Sequence, residues 1–515
     1  MLQFWRPLSE IDRVFISDDL YYTLTISRSI AHGLGPTTDG VHLTSGFQPL
    51  LGFLLVPFVD LGFSPDMLVR LDLLLLIACD VLSVWLLAVV AWRLIGPTGA
   101  ILAASLWALS PVAMSVALSG LEGSLAVMCD LALVVAWMWA NDAFSSRRRA
   151  VVVGVFAGLA MLARFDAVVL VGLIAVAQLV YSNRRTFLYF VGAAGAVVLP
   201  WWLWCVAEFG TVVPTSVAAE RHVTHTASFS SASLSLAAAA VVHTPLTLGD
   251  GLKGWFQWHA AVGAAVFVAL AVSGILAAWN FAFPGRSSRW YDDRTDRHVP
   301  VGVIVAAVLV FGVALLFGYT WFAVIWNLDR YLLPVSMMVT VVFAWIGSEL
   351  FARTRPFAAV LILAGASLAV VNNVHLRVVD SVPSRSYRVA TGSREAALRL
   401  LADLPDHARA GAWQSGALSY YASRGIVVVN LDGVVNPQAP NPRDATSTLN
   451  YLTDQHVNWL VDWRLMIVGL ESATGGRSSV GSQLNFDLSA TYSHPGQQVS
   501  WLVRIRPLTI SKNVR

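Results

Sequence analysis

From Met67 to Val374 the chain is a succession of apolar segments, most of them long enough to cross a bilayer. A hydrocarbon core of ~30 Å takes about 20 apolar residues as a helix, because lipid offers no partner to an unpaired backbone N–H or C=O. The expected spans are Met67–Leu94, Thr98–Leu118, Leu121–Ala143, Ala150–Ala163, Ala167–Tyr181, Thr186–Ala207, His259–Phe283, Val299–Thr320, Tyr331–Leu350 and Pro356–Val374. The fourth and fifth are short, which suits a tight hairpin dipping into the bilayer. Composition agrees: 57% of the 515 residues are apolar and 13% charged, where a soluble domain carries about a quarter charged residues. This excludes a soluble globular protein, and the net charge of +3 gives no reason to expect nucleic acid. Cys79, Cys129 and Cys205 all fall within apolar stretches, so neither a disulfide framework nor a thiolate metal site is expected.

Arginines orient the spans, since short cytoplasmic loops are enriched in Arg and Lys. Arg93, the run Arg147-Arg148-Arg149, the pair Arg184-Arg185, the cluster Arg286, Arg289, Arg294 and Arg297, and Arg353 with Arg355 all fall on one side of this span order. The other side receives Asp18-Asp19, Glu122, Arg164 to Asp166, a large loop over 208–258, Asp329-Arg330 and everything after His375. Under this orientation the N-terminus lies outside the cytoplasm. The first seventeen residues lack the apolar core of a signal peptide, so a first transmembrane helix is expected ahead of the present Met1.

The outer-side polar residues concentrate in a few places. F-I-S-D-D-L-Y-Y-T-L-T-I-S-R-S-I-A-H-G-L-G, Phe15–Gly35, sets two adjacent acids ahead of an amphipathic helix. They are either helix caps, for which Asp is well suited, or reactive acids at the membrane surface. T-S-G-F-Q-P-L-L-G-F-L-L-V-P-F, Thr44–Phe58, is too short to span comfortably and reads as interfacial or re-entrant. Glu122, in S-G-L-E-G-S-L, is either a dipole partner at a helix start or a second carboxylate facing the first pair across a cavity. Arg164 and Asp166 occupy the tip of the short hairpin, where they either neutralise each other or leave an arginine fork for a phosphate. Arg330, in N-L-D-R-Y-L-L-P, is an interfacial anchor or a partner of Arg164 at the same membrane level. The histidines show no metal-ligand spacing; Asp18, Asp19 and Glu122 are the oxygen donors available to a divalent cation, should one be used.

After His375 the chain becomes polar and mixed. Ser393–Leu404 and Asp444–His456 read as helices, and A-R-A-G-A-W, G-I-V-V-V-N-L-D-G and V-N-W-L-V-D-W as strands, with more strand alternation over 472–507. The expected organisation is a transmembrane catalytic domain over 1–374, with an outer loop at 15–63, and a small α/β domain over 375–515.

The ordered set D-D-x-Y-Y, G-x-G, T-S-G-F-Q-P-L, S-G-L-E, R-F-D and D-R-Y-L-L-P resembles the GT-C superfamily of membrane glycosyltransferases. The look is closest to bacterial enzymes similar to the terminal arabinofuranosyltransferases. G-A-W-Q-S-G-A-L-S-Y-Y and V-V-N-L-D-G-V-V-N, within Gly411–Asn436, resemble a signature that follows the membrane part of such proteins. The resemblance implies a GT-C type fold and transfer of a sugar from a polyprenyl-phosphate donor to a glycan, lipid or protein hydroxyl on the outer face of the inner membrane. It also implies that Asp18 is the acid acting on the acceptor, with Asp19 beside it. Leu20 departs from the small residue usual after the acid pair. Tyr22, His32 and Gln48, in or beside these motifs, and Arg221, in the large loop, complete the expected substrate contacts alongside Arg164, Asp166 and Arg330. The rival classes are a transporter or flippase of lipid-linked sugars, which would favour paired half-repeats and midplane polar groups, and a membrane-anchored glycan-binding protein.

Overall fold

A computed structural model of the chain describes residues 2–141, 147–217, 230–246, 301–321, 328–353, 392–441, 444–463, 484–493 and 499–507, with isolated positions between 219 and 275 and at 467 and 470. The N-terminal part opens with the short helices α1 (Leu8–Val14), α2 (Asp18–Ala31) and α3 (Pro49–Asp60). The long helix α4 (Pro65–Ile95) follows. It starts at a Ser64 cap with Pro65 in the first turn and stops at Gly96, as expected from a side-chain oxygen at Ncap, a residue with no N–H to lose at N1 and a glycine after the last turn. Helices α5 (Pro97–Ala108) and α6 (Pro111–Leu118) are bent by 54° to one another, where Ser110 caps the second helix and Pro111 opens it.

Then come α7 (Gly123–Asn141), α8 (Arg147–Ala163), α9 (Val168–Tyr181), α10 (Arg184–Phe209), α11 (Ser231–Leu246), α12 (Val301–Trp321), α13 (Leu328–Tyr331) and α14 (Leu333–Arg353). Among the described residues five helices are long and apolar enough to cross a membrane, or six if the bent pair is one span. They correspond to six of the ten expected segments. Helices α8 and α9 form the expected short hairpin, joined by a single 3-10 turn over Phe165–Ala167. Pro356–Val374 lies outside the described residues, and of 259–283 only residues 261, 264–269, 271, 272 and 275 lie within them, all helical. The three cysteines are buried thiols.

Towards the C-terminus, β1 (Arg409–Ala412), β2 (Val427–Asn430), β3 (Trp459–Trp463), β4 (Leu484–Ser493) and β5 (Val499–Pro507) form one sheet of order β2-β1-β3-β5-β4. The first three strands are parallel, and β5 runs antiparallel to β3 and β4. Helices α15 (Ser393–Asp403) and α17 (Ala445–Asp454) match the sequence reading, whereas α16 (Gly416–Tyr421) was not expected. Trp413, Val429, Leu431, Leu452 and Leu460 form the core between sheet and helices.

The unexpected α16 is what seats the sheet on the N-terminal helices. Arg28 of α2 donates to the carbonyls of Tyr420 at 2.8 Å and Ser419 at 3.2 Å. Tyr420 donates to the Pro65 carbonyl and Tyr421 to Asp66, both at 2.9 Å. Arg394 forks onto Asp66 at 2.6 and 2.9 Å, and its own N–H reaches Asp12 at 2.9 Å. The surfaces meet so closely that a Cβ on Gly416 would strike the Asp18 carbonyl, and one on Gly46 the Val434 carbonyl.

Candidate functional site

The acid pair sits in the first turn of α2, and its two members face different things. Both Asp18 oxygens are occupied: they accept the Gly416 N–H at 2.8 Å and the Ala417 N–H at 2.9 Å, at the start of α16. Burial pushes its carboxyl up to about 7 against the pull of those two amides. The sequence reads Asp18 as a helix cap or a reactive acid at the membrane surface; the protein uses this carboxylate to hold the first turn of α16, whose N–H groups have no partners within their own helix. Asp19 turns the other way. Its side chain keeps 46% exposure, and its Oδ2 lies 3.4 Å from the Arg330 guanidinium.

Glu122 is brought up to α2 by the turn before α7. The Ser17 N–H donates to the Ser119 carbonyl at 3.1 Å, and Gly120, at φ 76°, passes so close to Leu20 that no side chain would fit. Glu122 is 3% exposed and takes charge-assisted bonds from both arginines. Arg330 donates to it at 2.7 to 3.2 Å through two nitrogens, and Arg164 at 2.9 Å. One buried carboxylate thus carries two guanidiniums, each also reaching another acid, which is how such a charge is compensated away from water. The expected approach of Arg164 and Arg330 from different segments is present, with Glu122 between them.

Arg164 is the inner member. Its side chain is 5% exposed and its remaining donors go to Asp166, at 2.9 to 3.3 Å, and to the Tyr319 hydroxyl at 2.7 Å. Tyr319 in turn donates to Asp166 at 2.5 Å. Tyr319 and Tyr331 stack 4.7 Å apart and 6° from parallel, with Arg164 over the Tyr331 face at 4.9 Å and Arg330 over it at 5.3 Å. Four of the five N–H groups of Arg164 are therefore engaged within the protein. Arg330, 13% exposed, is the outer member and the one beside the exposed acid.

Tyr22 is buried at the joint with the sheet. Its hydroxyl accepts from the Ser415 N–H at 3.2 Å and the Asn430 amide at 3.3 Å, and stands 3.3 Å from both the Trp413 carbonyl and Asp432 Oδ2. Gln48 lies apart from the arginine network, in a small recess with Phe47, Phe165, Trp201 and Trp202 between α3, the hairpin tip and α10. His32 caps the far end of α2, about 20 Å along that helix from Asp19 at 1.5 Å per residue. Arg221 lies outside the described residues. The oxygen donors considered for a divalent cation do not converge: Asp18 is turned to α16 and Glu122 to the arginines. Among the described residues no group of three His, Cys, Asp or Glu side chains is arranged to hold a metal.

Sequence reading missed Tyr319, Tyr331, Asp432 and the α16 amides. The tyrosines carry no signal beyond their place near span ends, where an aromatic is ordinarily a membrane-belt residue. The Gly416 and Ala417 amides are backbone groups and leave no mark in residue type.

No family model matches the sequence, and no curated protein matches it. Solved structures do share its fold. The Archaeoglobus fulgidus oligosaccharyltransferase in complex with Zn and sulfate superposes with a TM-score of 0.53 at 13% identity, over 94% of this chain and 69% of that one. ArnT from Cupriavidus metallidurans bound to undecaprenyl phosphate superposes with a TM-score of 0.52 at 14% identity, over 96% of this chain and 95% of that one. The architecture is a polytopic helical membrane protein of the GT-C type with a small α/β unit near its C-terminus.

Proposed function

We propose that this protein is a glycosyltransferase that moves a sugar from a polyprenyl-phosphate donor to a hydroxyl of a cell-envelope glycan, lipid or protein. The observation that carries the reading is Asp19: a half-exposed carboxylate 3.4 Å from Arg330, whose guanidinium is anchored on buried Glu122. An exposed acid beside a pre-positioned cation suits a reaction in which one oxygen loses a proton while another gains negative charge. Asp19 takes the proton of the acceptor hydroxyl as general base. That oxygen forms the new bond to the sugar C1, the C1–O bond to phosphate breaks, and polyprenyl phosphate leaves with the electron pair. Arg330 stabilises the charge growing on the departing phosphate.

The remaining residues act through these two. Glu122 and the Arg164–Asp166–Tyr319 set fix the position of Arg330. Asp18, which the resemblance casts as the acid acting on the acceptor, here positions α2 by its grip on α16 and leaves proton transfer to Asp19. A lipid-borne donor accounts for a site at the membrane edge, and the fold is shared with a protein bound to undecaprenyl phosphate. The resemblance is closest to bacterial enzymes similar to the terminal arabinofuranosyltransferases. The arginine loops favour an inner-membrane protein with the acid pair, the arginine network and the 375–515 domain on the non-cytoplasmic side, and 1–374 as the membrane domain.

The test is transfer of radiolabelled sugar from polyprenyl-phosphate pentoses and hexoses to octyl glycosides by the purified full chain in liposomes. Transfer by wild type and its loss in Asp19→Asn support the reading. Transbilayer movement of the donor without transfer, unaffected by Asp19→Asn, overturns it in favour of a flippase.

A further inference from the structure

At the end of α8 opposite Arg164, arginines from two helices stand together. Helices α8 and α10 run in parallel, with Gly154 set against the Phe190 carbonyl and Ala193 and Gly158 against Val197, so closely that a Cβ on either glycine would collide. Their first turns therefore lie side by side, about 25 Å from Arg164 along the 17 residues of α8. Those turns hold Arg147, Arg148 and Arg149 on α8 and Arg184 and Arg185 on α10, with no acidic residue in either. Arg147 lies over the ring of Tyr189 at 5.0 Å, and Tyr189 is one turn beyond Arg185 on the same face of α10. Arg149 is taken up by Trp139, over its ring at 4.5 Å and onto its carbonyl at 2.9 Å. Among the described residues no carboxylate pairs with any of the five.

Gathering these cations is unfavourable by itself. Like charges on neighbouring helical positions repel, and the positive end of each helix dipole adds to the repulsion. A ligand carrying negative charge offsets both. What lies beyond the cations narrows its chemistry. From Arg185 the same face of α10 continues through Tyr189, Gly192, Ala196, Leu199 and Leu203, all exposed, for about 27 Å along a helix long and apolar enough to cross a membrane. A Cβ on Gly192 would meet nothing within 4 Å, and Ala196 carries only a methyl group, so the middle of this face is a shallow trough. A free phosphate would use the arginines alone, and an acidic protein or nucleic acid would leave the trough unfilled. An anion that carries apolar chains uses both.

We propose that the paired starts of α8 and α10 bind an anionic phospholipid, its phosphate held by Arg147 and Arg185 with Arg148 and Arg184 flanking, and an acyl chain lying in the α10 trough. The planar fork of a guanidinium matches a phosphate, and clustered arginines at a bilayer surface attract anionic headgroups. The preference for cations in cytoplasmic loops accounts for the number of arginines, but not for one laid on Tyr189 above an open trough. The site is separate from Asp19 and Arg330 and stands independently of the glycosyltransferase reading. By joining α8 to α10, the lipid braces the helix that ends at Arg164.

The experiment adds phosphatidylglycerol or phosphatidylcholine with the same acyl chains to the full-length protein in neutral detergent, and reads retained lipid by native mass spectrometry alongside thermal melting. Wild type should retain phosphatidylglycerol about tenfold or more in preference, and melt later with it. Arg147→Gln combined with Arg185→Gln should bring that preference to within about twofold. Arg399→Gln, an exposed arginine of α15, should leave it unchanged. Gly192→Leu keeps every arginine, and with them the signals for insertion, yet fills the trough; it should lower retention of phosphatidylglycerol about tenfold. If the double arginine variant fails to insert, Gly192→Leu decides the matter. Equal retention of the two lipids by wild type, or retention unchanged in Gly192→Leu, overturns the proposal. So does a preference that survives in the double variant, or a melting shift with inorganic phosphate as large as that with phosphatidylglycerol.

Discussion

Arg330 holds Glu122 with two of its nitrogens at 2.7 to 3.2 Å and turns the third towards Asp19 at 3.4 Å. The short contacts go to the carboxylate that is 3% exposed, the long one to the carboxylate that is 46% exposed. An arginine tethered at its back and loosely engaged at its front is placed to exchange Asp19 for an incoming anion without moving far.

Asp19→Asn should lower transfer by about a hundredfold or more, the ordinary worth of a general base, with melting unchanged. Asp18→Asn should retain more activity, because Asp18 is turned to the Gly416 and Ala417 amides and away from the open side. Initial rates and thermal melting of both variants decide it. The reverse ranking would return the proton-transfer role to Asp18.

Removing Glu122 should be worse for the fold than removing Arg330. Glu122→Ala leaves two buried guanidiniums facing each other with one partner fewer, a loss of about 3–5 kcal/mol when a buried pair is broken. Arg330→Ala should instead cost mainly rate, about a hundredfold or more, as for a lost oxyanion donor. Thermal melting and turnover per folded molecule distinguish them. Arg164→Ala should resemble Glu122→Ala, since Arg164 is 5% exposed and bonded to Glu122, Asp166 and Tyr319.

The joint between α2 and the sheet should tighten as pH falls. Asp18 sits at about 7 and Asp12 at about 6, both raised by burial from an ordinary 3.8. An undocked form would release these protons near 3.8, so between about 4 and 7 the docked form binds more protons and is progressively disfavoured as pH rises. Below that window the contribution is fully present; above 7 it is gone. Hydrogen exchange of the Gly416 and Ala417 amides, corrected for intrinsic rates, should show greater protection at pH 5 than at pH 8. Protection that instead grows with pH would mean the two amide bonds to the ionised carboxylate outweigh its burial.

Gly416→Val should open the same joint by wedging a side chain against Asp18. Faster exchange across Gly416–Tyr421, with α4 and α7 unaffected, is the expected result.

The membrane helices were legible because their signal is one of length and apolarity, and caps such as Ser64 and Asn183 mark their starts. The hairpin with Arg164 at its tip, and most of the C-terminal strands and helices, were legible for similar reasons of period and run length. That Glu122, Arg164 and Arg330 lie close together was visible as polar residues at one level of the spans. Their sharing of one carboxylate was not, because it depends on the turn at Gly120 passing beneath Leu20. The division of labour within D-D was not legible either. Adjacent residues on a helix point about 100° apart, and only the position of α16 decides which faces the sheet and which the open side.

The bond between Asp18 and Gly416 joins residues 398 positions apart. A ribosome adding roughly 5–20 residues per second finishes the acid pair and the membrane helices well before it makes the segment that Asp18 will hold. For the better part of a minute the nascent protein therefore has Asp18 and Asp19 in place but not the wall that Asp18 leans on. A chain that stops short of Gly416 never acquires it. Synthesis itself thus withholds the partner of Asp18 until residue 416 has been made.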